Sequence, residues 1–180
     1  MSKIQLIRPT LEYAEDILNF RREILAAADA DSFAGCCNLE DCQTAEEWIE
    51  TAQNLEKEET CPKDRVVANI YIAVRLEDHK IVGVIDLRHH IDHPILSVWG
   101  GHIGYTVRPN ERGKGYAKEM LRLNLCNAKA LGLKKVLITC DQDNPASEKT
   151  ILTNGGVYEN TVWVDGVAIK RYWIDLEEKK

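Results

Sequence analysis

The 180-residue chain predicts a mixed α/β domain, and three observations carry that expectation. Apolar residues recur at helical spacing in some stretches and in alternation in others, so both element types are present. Turn and capping residues fall between the periods, notably at Thr44, Gly132, Gly155-Gly156 and Asp165-Gly166. The composition, 44% hydrophobic and 29% charged, is that of a globular chain long enough to bury a core without disulfides or metals. The predicted order is β-α-α-β-β-β-α-β-α-β-β in one domain over residues 1–180, with no repeat, linker or low-complexity segment.

Lys3 to Arg8 alternate loosely and read as a first strand. Thr10 is placed to cap a helix whose apolar positions are Leu11, Ala14, Leu18 and Leu25, with Ile17 and Ile24 beside them. Asp29 to Gln43 has no period and reads as a loop. Thr44-Ala45-Glu46-Glu47 is a capping-box pattern, opening a second helix with Trp48, Ile49, Ala52 and Leu55 on one side. Asn69 to Arg75 and Ile81 to Leu87 read as a hairpin across the polar turn Glu77-Asp78-His79-Lys80. Trp99 to Val107 reads as another strand, interrupted by glycines. A helix over Tyr116 to Leu131 turns Ala117, Met120, Leu121, Leu125, Ala128 and Leu131 inward and stops at Gly132. Val136 to Cys140 reads as a short buried strand and Pro145 to Asn154 as a short helix. Strands Val157 to Val164 and Val167 to Asp175 are joined by Asp165-Gly166, a strong hairpin dipeptide.

Several classes are excluded. A formal charge of -6 argues against a nucleic-acid partner, which requires a basic face. No apolar run is long enough for a membrane span. The N-terminus reaches Arg8-Pro9 too early for a secretory segment, so a cytoplasmic location is expected. Cys36, Cys37, Cys42, Cys61, Cys126 and Cys140 show no metal-ligand spacing and read as free, buried or half-buried thiols.

The stretch Ile103 to Ala117 carries the chemistry. A strand runs into a polar loop, Arg108-Pro109-Asn110-Glu111-Arg112-Gly113-Lys114-Gly115, and a helix begins at once. The first N–H groups of a helix lack internal partners and carry partial positive charge, so they bind anions such as a pyrophosphate. Glycines at 113 and 115 permit close approach, while Arg112 and Lys114 add charge. A tight turn with solvated cations would use the same residues. The phosphate loop of nucleotide hydrolases is excluded because Gly115 follows Lys114, and the dinucleotide fingerprint because the glycine spacing is not met.

Arg112-Gly113-Lys114-Gly115-Tyr116-Ala117 resembles the coenzyme A signature of the GNAT acetyltransferase superfamily, and Tyr105-Thr106-Val107-Arg108-Pro109 resembles its fourth strand. Asp143-Asn144-Pro145-Ala146-Ser147, with Ile151 and Asn154-Gly155-Gly156, is similar to a block of the branch that includes ribosomal-protein N-terminal acetyltransferases. The element order matches over nearly the whole chain. The resemblance implies a GNAT-like fold with a mixed, mostly antiparallel central sheet flanked by helices. It also implies an N-acetyltransferase that uses acetyl-coenzyme A as cosubstrate and a small-molecule or peptide amine as acceptor, by direct attack on the thioester. An alternative is a coenzyme A-binding sensor or interaction module that has lost turnover. Members of the branch often pair, so a homodimer is among the implied assemblies.

The resemblance assigns the pantetheine arm to backbone groups of Tyr105 and Val107, with Thr106 in the same strand. It assigns the pyrophosphate to backbone N–H groups of Arg112, Gly113, Lys114, Gly115, Tyr116 and Ala117. Asn144 would bond the pantetheine end, and Ser147 would lie near the sulfur. Many members carry a tyrosine acid where this chain has Leu152, so Ser147 is the expected acid, with a plain helix-start serine as the bland alternative. The base positions of some members correspond to Gly101 and Ile103. His102 lies between them and should face the other way unless a bulge at Gly100-Gly101 corrects it. Asp86, His89, His90 and His93 are further base candidates, and water is the remaining route.

Asp29, Asp31, Glu40, Asp41, Glu46, Glu47, Glu50, Glu56, Glu58 and Glu59 stand against Lys57 alone, which suits a cationic acceptor or, equally, a solvated face. Trp99, Trp163, Tyr172 and Trp173 read as core or interface rather than as an acceptor cage.

Overall fold

The structure, a computed structural model, describes residues 2–27 and 33–177. Asp29 and Asp31 of the acidic stretch lie outside the described residues. Strand β1 (Ile4–Ile7) leads through a short 3-10 turn into helix α1 (Ala14–Ala27), followed by α2 (Ala45–Asn54). Strands β2 (Ala68–Arg75), β3 (Ile81–Arg88) and β4 (Tyr105–Val107) precede helix α3 (Tyr116–Ala130). Strand β5 (Lys135–Asp141), helix α4 (Pro145–Thr153) and the hairpin of β6 (Val157–Val164) and β7 (Val167–Asp175) complete the order. This is the predicted sequence of elements.

The strands form two sheets rather than one. The first runs β1-β2-β3-β4 and the second β5-β7-β6, and every pairing within them is antiparallel. Hydrogen bonds join the two sheets at His102 and Leu137. His102 donates its backbone N–H to the Leu137 carbonyl at 2.8 Å, and its Nδ1 accepts the Leu137 N–H at 2.9 Å. Beyond that stitch β4 and β5 have no ladder between them.

The strand expected from Trp99 to Val107 is much shorter. Leu96–Gly100 closes a π-helical turn, and Gly101 takes a positive φ of 65°. A Cβ at Gly101 would stand 2.6 Å from the Leu137 carbonyl oxygen, so only glycine fits where the two sheets touch. From His102 onward the chain does run beside β3, since Arg88 N–H donates to the His102 carbonyl and Asp86 N–H to that of Gly104.

Helices α1 and α2 cover one face of the first sheet, with Ile17, Phe20, Ile24, Trp48 and Ile49 packed on Ile70, Ile72 and Val84. Helix α3 covers the opposite face, where Met120 and Leu121 meet Val82, Ile85, Val136 and Ile138. Gly83 permits this close packing, because a Cβ there would fall 2.6 Å from the Met120 sulfur. The α2 stripe is as predicted, and Thr44 accepts the Glu47 N–H at 3.2 Å. Its partner in the box departs from the pattern, since Glu47 accepts the N–H of Gln43. On α1 the buried stripe is Ile17, Phe20 and Ile24, and Leu11 and Leu25 are exposed. Leu131 is exposed too, as it lies at the C-cap of α3 rather than on its inner face. All six cysteines are free, with Cys126 exposed and the other five buried or half-buried. Among the described residues no helix is long and apolar enough to cross a membrane.

Candidate active site

Three pieces of backbone converge on the open side of the β4–β5 junction: β4 itself, the loop into α3, and the start of α4. What fixes the first piece is Arg108, 1% exposed, at the end of β4. Its guanidinium pairs with Glu23 at 2.7 and 2.9 Å and Asp16 at 2.8 Å, and donates to the Ile81 carbonyl at 2.6 Å. The strand end is thereby tied to α1 and β3 at once.

Antiparallel pairing makes alternate residues of β4 face β3. Gly104, on the same parity as Thr106 and Arg108, accepts from Asp86, and Arg108 N–H donates to Val82 at 2.8 Å. Tyr105 and Val107 therefore direct their backbone groups away from β3, toward the gap before β5. The Val107 carbonyl accepts from Arg112 Nε at 3.2 Å. Thr106 differs from its expected role, because its peptide groups face β3 and its hydroxyl donates to the Ala34 carbonyl at 2.8 Å.

The loop into α3 turns at Gly113 and Gly115, with φ of 75° and 88°. A Cβ at either would meet nothing within 4 Å, so the surface they form is open to a bound group. The first intrahelical bond is Glu119 N–H to the Gly115 carbonyl at 3.2 Å, which leaves the earlier N–H groups of the loop and first turn ahead of the helix ladder. Arg112 is an exception to the predicted set, since its N–H donates to the Pro109 carbonyl at 3.3 Å. Beneath the loop the buried Glu111 carboxylate is shared by Arg75 and Lys114, each at 2.9 Å, and Arg75 also donates to the Tyr116 hydroxyl. Two of the signature's side chains thus brace the loop, and its glycine turns are left at the open surface.

At the start of α4, Asn144 accepts the Ser147 N–H at 3.1 Å as an N-cap. The Ser147 hydroxyl lies 2.7 Å from that of Tyr105, across the gap between the sheets. Burial pushes the Tyr105 hydroxyl up to about 12, a shift its bond to Ser147 opposes. Tyr105 is therefore protonated at neutral pH and able to donate to Ser147. Sequence reasoning treated Tyr105 as backbone only. The pair needs β4 and α4 at a set distance, and no local signal announces it. Leu152, where many superfamily members carry tyrosine, is 49% exposed on α4.

His102 is brought to the junction but not into a base's position. Burial first, then the nearby Arg88, lowers its pKa to about 4. With Nδ1 accepting from Leu137, the neutral ring carries its proton on Nε2 and has no free lone pair. Its ring is a stitch between sheets. His89 bonds Asn69 at 2.9 Å, and His90 is exposed near Asp92. Asp86 is engaged on both oxygens, by Gly104 N–H at 2.6 Å and Arg88 at 3.0 Å. His93 lines a cavity of about 410 Å³ on the α1–α2 side of β3, with Asp86, Glu40 and Phe33.

Residues 3–157 match the acetyltransferase (GNAT) domain family. The chain belongs to that family. No curated protein sequence is similar enough to match it. Among solved structures it is similar to the microcin self-immunity acetyltransferase MccE in complex with acetyl-CoA and AMP (24% identity, TM-score 0.66, covering 97% of this chain and 93% of that one). It is similar also to RimL, a ribosomal-protein α-N-acetyltransferase in complex with coenzyme A (16%, 0.67, 97% and 95%). A third is the spermidine/spermine N-acetyltransferase SpeG from Vibrio cholerae, in mutant forms (15%, 0.65, 98% and 95%). At these identities the likeness shows the fold. As a GNAT acetyltransferase the chain uses acetyl-CoA, and its open glycine turns and outward-facing β4 backbone fit that cosubstrate.

Proposed function

We propose that this GNAT acetyltransferase transfers the acetyl group to a primary amine by direct attack, with Ser147 as the proton donor to sulfur and Tyr105 behind it. The observation that carries the reading is the 2.7 Å contact of the two hydroxyls beside the open glycine turn. Amine acetylation by family relatives of the same fold, one named for spermidine and spermine and one for a ribosomal protein, supports the acceptor class.

Acetyl-CoA supplies an activated thioester. The N–H groups from Gly113 to Ala117, at the positive end of the α3 dipole, hold its pyrophosphate. The outward backbone of Tyr105, together with the Val107 N–H, aligns the pantetheine arm along β4, and Asn144 orients its end from the α4 cap. As nitrogen bonds to the acetyl carbon and the carbon–sulfur bond breaks, the Ser147 hydroxyl gives its proton to the leaving sulfur. Tyr105 restores that proton across their shared hydrogen bond and regains its own from water before the next turnover. The proton lost from nitrogen passes to water, since Asp86 and His102 are both committed elsewhere. Holding amine and thioester in line supplies much of the acceleration.

Ser147→Ala tests this directly. It should lower kcat about a hundredfold, within the usual range for a positioned acid. The rise in melting temperature on adding acetyl-CoA should be the same as in wild type. Tyr105→Phe should lower kcat less, about tenfold, because the serine hydroxyl remains. An unchanged kcat in Ser147→Ala sinks the acid assignment. Acetyl-CoA binding without turnover of any amine would instead favour the sensor reading.

A further inference from the structure

The cavity on the α1–α2 side of β3, taken as the acceptor's on the proposed reading, contains a feature that the transfer reaction does not use. Glu40 sits in the short 3-10 turn Leu39–Asp41, and its side chain lines the cavity of about 410 Å³. One carboxylate oxygen, Oε2, is fully buried and has no hydrogen-bond partner among the described residues. Burying an unpaired ionised oxygen is costly, so such atoms in native proteins call for a specific reason. Arg21 does not answer it. Its guanidinium grips the backbone carbonyls of Leu39 at 3.0 Å and Glu40 at 2.6 Å, which pins the turn and leaves the carboxylate to the cavity.

Of the other charges on the lining, Asp86 and Arg88 are spent, and Asp64 is exposed at the rim. Asp86 is held by Gly104 and Arg88, and Arg88 also donates to the carbonyls of Gly100 at 2.7 Å and Gly101 at 3.0 Å. Arg65 stands exposed at the rim, with no ion pair to Glu40 among the described residues. The cavity wall reaches the reacting strand. Asp86 holds Gly104, the residue before Tyr105, and Ala34 on the same wall accepts the Thr106 hydroxyl.

We infer that Glu40 binds a second cationic group of the acceptor, so that the substrate class is a diamine or guanidino-amine rather than a monoamine. The inference rests on the acetyl-transfer reading of the site. The chemistry separates the two nitrogens. A nitrogen paired with a carboxylate stays protonated and has no lone pair to give. The nitrogen that attacks the thioester must be neutral, so it is a different one. Phe33, Leu55, Ile95 and Leu96 on the lining suit the methylene spacer between them.

The test compares putrescine with butylamine, which match in length and differ in the second charge, at saturating acetyl-CoA. Wild type should favour putrescine by about tenfold or more in kcat/KM, an ordinary discrimination for one desolvated charge pair. Glu40→Gln keeps the shape and removes the charge. It should raise KM for putrescine about tenfold with little change in kcat, and leave butylamine as it was. Glu40→Asp should retain part of the preference. Equal use of both amines by wild type, or equal loss of both in Glu40→Gln, overturns the inference. So does a protein that acetyl-CoA stabilises but that neither acetylates putrescine nor, loaded with coenzyme A, binds it in calorimetry. A protein whose melting point acetyl-CoA does not raise would overturn the acetyl-transfer reading itself.

Discussion

The two sides of the proposed active site are made of different material. The cofactor side is backbone: the outward edge of β4, two left-handed glycines and the start of α3. The proposed acceptor side is side chains, drawn from the loop after α1, from β2 and β3, and from the turn before β4. A backbone surface keeps its chemistry through most substitutions, provided the glycines remain. A side-chain cavity changes ligand with a single residue. That difference accounts for a chain whose coenzyme A signature is plain and whose acceptor groups carry no motif.

The comparison is sharpened first at the seam. His102 joins the two sheets, and its pKa of about 4 lies below the ordinary value of 6.5. The unfolded chain therefore binds the proton first, and stability is lost as pH falls from 6.5 toward 4. The contribution is about 3 kcal/mol by pH 4. In His102→Asn the Oδ1 still accepts from Leu137, and this share of the acid sensitivity should vanish. Urea unfolding of both proteins from pH 7 to pH 4 checks it, with the difference between them isolating His102 from the carboxylates.

Next in size is the cradle. Gly115→Val forces a β-branched residue to φ 88°, at a cost of about 1–2 kcal/mol in the left-handed region, and displaces the N–H groups at the start of α3. Acetyl-CoA should bind about tenfold more weakly, while the acceptor KM at saturating acetyl-CoA holds steady. If both constants move together, the two regions are not separable. The smallest effect belongs to the acceptor side's support. Thr44→Ala removes the cap of α2 and should lower stability by about 1 kcal/mol, with acetyl-CoA affinity untouched.

Much of the fold was legible because its signals are local. The Thr44 cap, the Asp165-Gly166 turn with its two positive φ values, and the apolar stripe of α2 each lie within a few residues. Gly113 and Gly115 were legible for the same reason, since a left-handed turn at a helix start demands glycine whatever surrounds it. The strand expected from Trp99 fails on a distant cause. Its alternation is real, yet Gly101 is pressed against Leu137 in another sheet, and the segment turns instead. Glu40 was one carboxylate among ten between positions 29 and 59, and nothing in the sequence marks it out.

By itself, then, the amino-acid order determined the elements, the glycine turns before α3 and the family, all of which depend on residues near one another along the chain. Tertiary structure alone decided the partnerships. It set Tyr105 against Ser147, closed His102 onto Leu137, and left the buried oxygen of Glu40 unpaired among the described residues. Each depends on where two distant backbones come to rest, and hydrogen bonds and burial change over a few ångströms that no local pattern specifies.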